Sequence, residues 1–218
     1  MNVFAILGNG PINKIDYLGY LDADGAPDML GDMLIGMAKV RDMITSFDSQ
    51  SDQASQEGIK LLDDFRSGSG SSFRNYGPGS ALTKQLANHT GIIWATQKLI
   101  AELRARCESK AQGAFEFPFS YGYNSVAGKA SGLMDIVGMA VLKDVVGVIL
   151  GSYNGEVYVH EYSCACRTAR VTFSVWNDMS YSSWKRNPFT GKGPDRVIPS
   201  GRFRTIHMEF SWDSSINF

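Results

Sequence analysis

At Gly151 the apolar residues of this 218-residue chain change period, and that change limits its fold more than any single motif. Before it they recur at steps of three and four; after it they alternate with polar residues. The first spacing lines side chains along one stripe of a helix, and the second sends neighbours to opposite faces of a strand. The chain therefore reads as α+β, with a helical N-terminal region to about residue 150 and a small antiparallel β region over 151–218.

Within the helical part, Met29, Met33, Met37, Val40, Ile44 and Phe47 form one stripe, predicting a helix near 27–46 with Asp24 or Asp28 as cap and Pro27 in its first turn. Ile59, Leu62 and Phe65 predict a shorter helix over about 51–65. The glycine- and serine-rich run 67–80, with Gly68, Gly70, Gly77, Pro78 and Gly79, reads as a loop or hinge. Ser80 can cap the next stripe, Leu82, Leu86, His89, Ile93, Ile100, Leu103 and Cys107, which Thr90-Gly91 kinks or restarts. On that stripe His89 reads as a core histidine. The aromatic segment 115–132 fits neither period and reads as a connecting loop leading into an apolar helix at 131–150. That last segment carries Asp135, Lys143 and Asp144, so it is too charged to span a bilayer and reads as a buried core helix.

Beyond the turn at 151–155, residues 156–164 and 170–177 are rich in β-branched and aromatic residues, predicting a hairpin through Cys164 to Thr168. A further strand over 202–212 places Arg204, Ile206, Met208, Phe210 and Trp212 on one face and Phe203, Thr205, His207, Glu209 and Ser211 on the other.

Charge excludes some classes and singles out one segment. With 21 Lys+Arg against 22 Asp+Glu, the chain is neither a globally basic nucleic-acid binder nor a polyanionic tail protein. The balance is uneven along it: residues 21–66 hold ten acids against four bases, and residues 185–204 hold six bases against one acid. Those bases, Lys185, Arg186, Lys192, Arg196, Arg202 and Arg204, are interleaved with Trp184, Phe189 and Phe203. Such a mixture suits an anionic partner, either nucleic acid or a membrane surface, and equally a solvated connection between strands.

Three cysteines and three histidines are a small stock for acid–base, nucleophilic or metal chemistry. They are too few for a disulfide scaffold, and a chain of this length has no need of staples. Cys164 and Cys166 at the predicted hairpin, with His160, would offer ligands to a soft metal, and Cys107 or His207 a fourth. The same two cysteines read more simply as reduced and structural. A nucleophile pairing Cys164 or Cys166 with His207 would need the imidazole close to a thiolate. His160-Glu161 lacks the downstream cysteine pair of a zinc deaminase, the loop at 67–72 lacks the ending of a phosphate loop, and no cofactor is indicated.

The most specific local pattern is ILGNGPINKIDYLGY at residues 6–20. In Gly8, Asn9, Pro11, Ile12, Asn13, Ile15, Asp16 and Gly19 it resembles the end of the core in Rhs/YD-repeat polymorphic toxins, with Tyr17 at the place of the usual proline. The resemblance implies an Rhs-core-like remnant at 1–20 and a variable effector domain at 21–218. It implies self-cleavage involving Asp16 and Gly19, with the cut near Tyr20-Leu21, and an immunity protein as partner. No cleavable signal peptide is evident, so the chain is expected to be cytoplasmic as made and exported with a larger toxin system. Two other functions stand beside that one. One is a non-enzymatic binding or structural module assembling through opposed acidic and basic regions; the other is a metal- or cysteine-dependent hydrolase centred on Cys164 and Cys166.

Overall fold

The computed structural model describes residues 38, 41, 42, 44, 45, 53–121, 145–180 and 203–218. The elements in chain order are α1 (Gln53–Ser67), β1 (Phe73–Tyr76), α2 (Ala81–Ala87), α3 (Thr90–Glu108), β2 (Phe115–Tyr121), α4 (Val145–Leu150), β3 (Tyr153–Ser163), β4 (Thr168–Met179) and β5 (Ile206–Asn217). The five strands form one sheet in the order β1-β5-β4-β3-β2. The expected α+β class is present, with two changes: the sheet is mixed, and two of its strands lie within the part read as helical.

Both changes come from pairing across long sequence separations. The glycine- and serine-rich run read as a loop contains β1, which pairs parallel with β5 from Phe73↔His207 to Tyr76↔Phe210. The aromatic segment read as a connection begins with β2, antiparallel to β3 from Phe115↔Val159 to Tyr121↔Tyr153. Pro118 interrupts the β signal of that strand and is tolerated because β2 is the sheet's edge. The predicted hairpin is β3–β4, running from Asn154↔Trp176 to Ser163↔Thr168 with a bulge between Val159 and Glu161. The turn expected to reach Gly155 is shorter, because Tyr153 already opens β3. Of the helix expected at 27–46, residues 38, 41, 42, 44 and 45 are helical with Ile44 buried, and its remainder lies outside the described residues. The helix expected at 131–150 is described only as α4. Residues 1–20, and with them the proposed division of the chain at residue 20, also lie outside.

One face of the sheet is buried under the helices. Tyr153, Gly155, Val157 and Val159 of β3, Val171, Phe173 and Val175 of β4, and Ile206, Met208 and Phe210 of β5 are all buried, each separated from the next on its strand by a residue of the opposite face. Against them pack Leu61, Leu62 and Phe65 of α1, Leu82 and Leu86 of α2, Leu99 and Leu103 of α3, and Val145 and Ile149 of α4. Burying one such side chain contributes about 1.5–3 kcal/mol, so this single cluster is the main source of stability. Gly91 lets α3 approach closely, since a Cβ there would lie 2.2 Å from the Tyr153 hydroxyl.

Polar side chains seat the helix ends. Of the two outcomes expected at Thr90-Gly91, a kink or a restart, the stripe restarts: α2 ends at Ala87 and α3 begins at Thr90. His89 caps α3, its Nδ1 accepting from Gly91 N–H at 3.1 Å and facing Tyr153 Oη at 2.8 Å. A ring nitrogen that accepts a backbone N–H carries no proton, so Tyr153 is the donor in the second bond. Glu57 of α1 serves the start of α2: its carboxylate accepts from Ser80 Oγ at 2.6 Å, Ala81 N at 3.2 Å and Leu82 N at 3.1 Å. The last two are N–H groups that no turn of α2 can satisfy, at the end of the helix where negative charge is favoured. Gln85 Oε1 accepts from Val146 N, and Asn177 Nδ2 donates to Leu150 O, so other elements hold both ends of α4.

The Cys107–Cys164 disulfide ties the last turn of α3 to the β3–β4 turn. This overturns the reading of Cys164 as reduced, whereas Cys166 keeps a free thiol. In a chain-entropy account, closing a loop across 57 residues contributes about 4 kcal/mol.

Replacing Glu57 removes two helix-end contacts and the charge together. Glu57→Ala is expected to cost about 2 kcal/mol, and Ser80→Ala about 1 kcal/mol. In thermal melts this corresponds to Tm decreases of about 4–8 °C and 2–4 °C; equal, negligible shifts in both variants would contradict this account of the α1–α2 junction.

Candidate functional site

Among the described residues no helix covers the opposite, open face of the sheet, and it collects the polar chemistry of the β region. Alternation assigns it Phe73 and Asn75 from β1, His207, Glu209, Ser211 and Asp213 from β5, Arg170, Thr172, Ser174, Trp176 and Asp178 from β4, and Asn154, Glu156, Tyr158 and His160 from β3. On β3, β4 and β5 all of them but Asp213 adjoin a buried residue, so the hydrophobic demand of the other face puts them on one surface.

Two clusters stand on this face. In the first, Thr172 Oγ1 donates to Asp213 Oδ1 at 2.6 Å and lies 2.7 Å from His160 Nε2. The threonine proton is committed to the carboxylate, so His160 Nε2 is the donor to Thr172 Oγ1. The result is a directed line of hydrogen bonds from β3 through β4 to β5, ending on a carboxylate. Tyr158 meets the His160 ring edge-on at 4.8 Å.

In the second, His207 Nδ1 lies 2.6 Å from Asp178 and Nε2 lies 3.2 Å from Glu209, while Phe73 stacks on the ring at 5.5 Å. Hydrogen bonding to Asp178 is the main cause that raises the His207 pKa above its usual 6.5, with partial burial opposing it and Glu209 adding to it. A doubly bonded ring of this kind serves as a cation. The two carboxylates sit on opposite ring nitrogens and do not converge on one point. Among the described residues, no three His, Cys, Asp or Glu side chains form a group suited to a metal ion.

His160 and His207, expected as partners of the cysteines, thus share a face but not a site. Their neighbours Thr172 and Asp178 stand six positions apart on β4, about 20 Å of extended strand. Cys164 is bonded to Cys107, so it offers neither a thiolate nucleophile nor a metal ligand in this oxidised form. Cys166 is exposed with a free thiol in the β3–β4 turn. A Cys–His centre built from Cys164, Cys166 and His207 is therefore not assembled.

Of the six basic residues, Arg204 alone is described: it is exposed and donates to Ser72 Oγ at 3.3 Å beside β1. Lys185, Arg186, Lys192, Arg196 and Arg202 lie outside the described residues, as do Asp16, Gly19 and Tyr20. The described strands are themselves acidic on the open face, where Glu156, Asp178, Glu209 and Asp213 face solvent and Arg170 is paired with Glu161 at 2.9 Å. The reading of a basic β-rich region is accordingly confined to the segment 185–204. Sequence reasoning found His160 and His207 but missed Thr172, Asp178 and Asp213. Their parity was readable, whereas the register that joins them to the histidines was not.

Neither a protein family, nor a curated protein, nor a solved structure matches this chain.

His207 gives the open face a definite pH dependence. A folded-state pKa above the unfolded value adds stability that is fully present below about pH 6.5 and is lost as pH rises through the folded pKa. The stability difference between wild type and His207→Gln, from urea unfolding across pH 5–9, is therefore expected to be largest at the acid end and to shrink upward; a difference that grows with pH would contradict it.

Proposed function

We propose that residues 21–218 are the effector domain of an Rhs-like polymorphic toxin system, acting on a neighbouring cell and neutralised by an immunity protein. The observation that carries this reading is the pattern of Gly8, Asn9, Pro11, Ile12, Asn13, Ile15, Asp16 and Gly19, with Asp16, Gly19 and Tyr20 as cleavage-site residues. Two structural facts are in keeping with it. The described residues form a core of their own around a five-stranded sheet, and none of their helices is long and apolar enough to cross a membrane. The Cys107–Cys164 bridge, in turn, suits a protein whose place of action is an oxidising compartment, since such bonds persist there and are rare in reducing cytosol.

A second reading, a binding module that assembles through charge, is favoured by a separate observation. The open sheet face carries Glu156, Asp178, Glu209 and Asp213, while Lys185, Arg186, Lys192, Arg196, Arg202 and Arg204 form a strongly basic segment. An anionic partner, nucleic acid or membrane surface, would meet that segment.

Expression in a bacterium, once in the cytoplasm and once directed to the periplasm, separates the two. Toxicity is expected on the periplasmic side, where the disulfide forms. Unimpaired growth in both cases overturns the effector reading, and self-association that weakens with salt in a non-toxic protein supports the binding module instead.

A further inference from the structure

Three cysteines meet at one end of the sheet. Cys107, in the last turn of α3, is bonded to Cys164 in the turn between β3 and β4. Cys166 lies two residues further along the same turn, exposed and with a free thiol. Cα atoms two residues apart are separated by at most about 7 Å, and by less in a turn, which is within the reach of a disulfide. The turn is tight: Cys166 N–H donates to Ser163 Oγ at 3.2 Å, and Arg167 behind it takes a left-handed φ of 53°. Cys164 therefore has two thiols to choose between, one beside it in sequence and one 57 residues away.

The two bonds form under different constraints. Closing the Cys164–Cys166 ring needs only the turn, whereas Cys107 reaches Cys164 only once α3 has docked on the sheet. Loop-closure entropy grows with the number of residues enclosed, so the local bond forms first. Native packing then favours the distant one, which is the bond found in the structure.

We propose that Cys166 is the receiving thiol of an internal disulfide relay that installs the Cys107–Cys164 bridge. The Cys166 thiolate attacks a low-molecular-weight disulfide, forming a mixed disulfide and releasing one external thiol. Cys164 then attacks Cys166 Sγ, forming the Cys164–Cys166 bond and releasing the second external thiol. When α3 packs, the Cys107 thiolate attacks Cys164 Sγ; the Cys164–Cys166 bond breaks, and Cys166 leaves as a thiolate that takes up a proton. Two protein thiols are oxidised, one external disulfide is reduced to two thiols, and Cys166 is regenerated. The inference does not depend on the effector reading.

The full chain, reduced and then mixed with glutathione disulfide at pH 8, tests it. Samples are quenched with acid at intervals, alkylated, digested with trypsin without reductant and mapped by mass spectrometry. Cleavage after Arg106 and Lys110 isolates Cys107 on a short peptide, and cleavage after Lys143 and Arg167 keeps Cys164 and Cys166 together. The wild type is expected to show the internal Cys164–Cys166 bond, with Cys107 alkylated, before the final bridge appears. Cys166→Ser is expected to form the bridge at least about tenfold more slowly, because Cys164 or Cys107 must then react with the external disulfide itself, with no neighbouring thiol to receive the oxidising equivalent and hold it on Cys164. Equal rates in wild type and variant, or a wild-type bridge that no Cys164–Cys166 species precedes, overturn the relay. Circular dichroism of the oxidised variant separates slow chemistry from misfolding. Should Cys166→Ser and Cys166→Ala both lose the native spectrum, the order of species in the wild type alone decides.

Discussion

β5 pairs with strands from opposite ends of the described chain: antiparallel with β4 along its whole length, and parallel with β1, more than a hundred residues earlier. The architecture depends on that second pairing. It brings α1 and the first strand against the last one, so that Phe65 meets Phe203 edge-on at 5.6 Å and Tyr76 stacks on Phe210 at 4.9 Å. Partial burial there pushes the pKa of the Tyr76 hydroxyl up to about 12. Contacts so distant in sequence are closed late and slowly, so the β3–β4–β5 meander is the natural template on which the helices and β1 settle.

What the sequence discloses follows the range of the interactions involved. The change of period at Gly151, the helix over 51–65 and the alternation of Ile206, Met208 and Phe210 are local patterns, and each has its counterpart in α1, β3, β4 and β5. β1 was hidden because four residues among glycines and serines carry no period, and because their partner is β5. β2 was hidden by Pro118, which argues against a strand everywhere except at an edge. The open face divides in the same way. His160 and His207 were readable as outward positions, but Thr172, Asp178 and Asp213 became their partners only through the register of three strands. The bond between Cys107 and Cys164 needed the end of α3 and the β3–β4 turn placed side by side, which no spacing rule supplies.

The polar bonds within the fold have a division of labour. Glu57, His89, Gln85 and Asn177 each use a side chain from one element to finish the backbone of another or of its own helix start. Such bonds add little net stability one by one, yet a buried end left unsatisfied costs more than the bond gained. They fix where each short helix begins and stops, which the hydrophobic cluster alone would leave loosely determined.

The two edges of the sheet carry a consequence for how this protein meets others. β1 is only four residues long, and β2 has at its centre Pro118, which has no N–H to donate. Neither edge is a good template for another chain's backbone. What the sheet presents to its surroundings is thereby side chains, the carboxylates, rings and hydroxyls of the open face, rather than unpaired backbone.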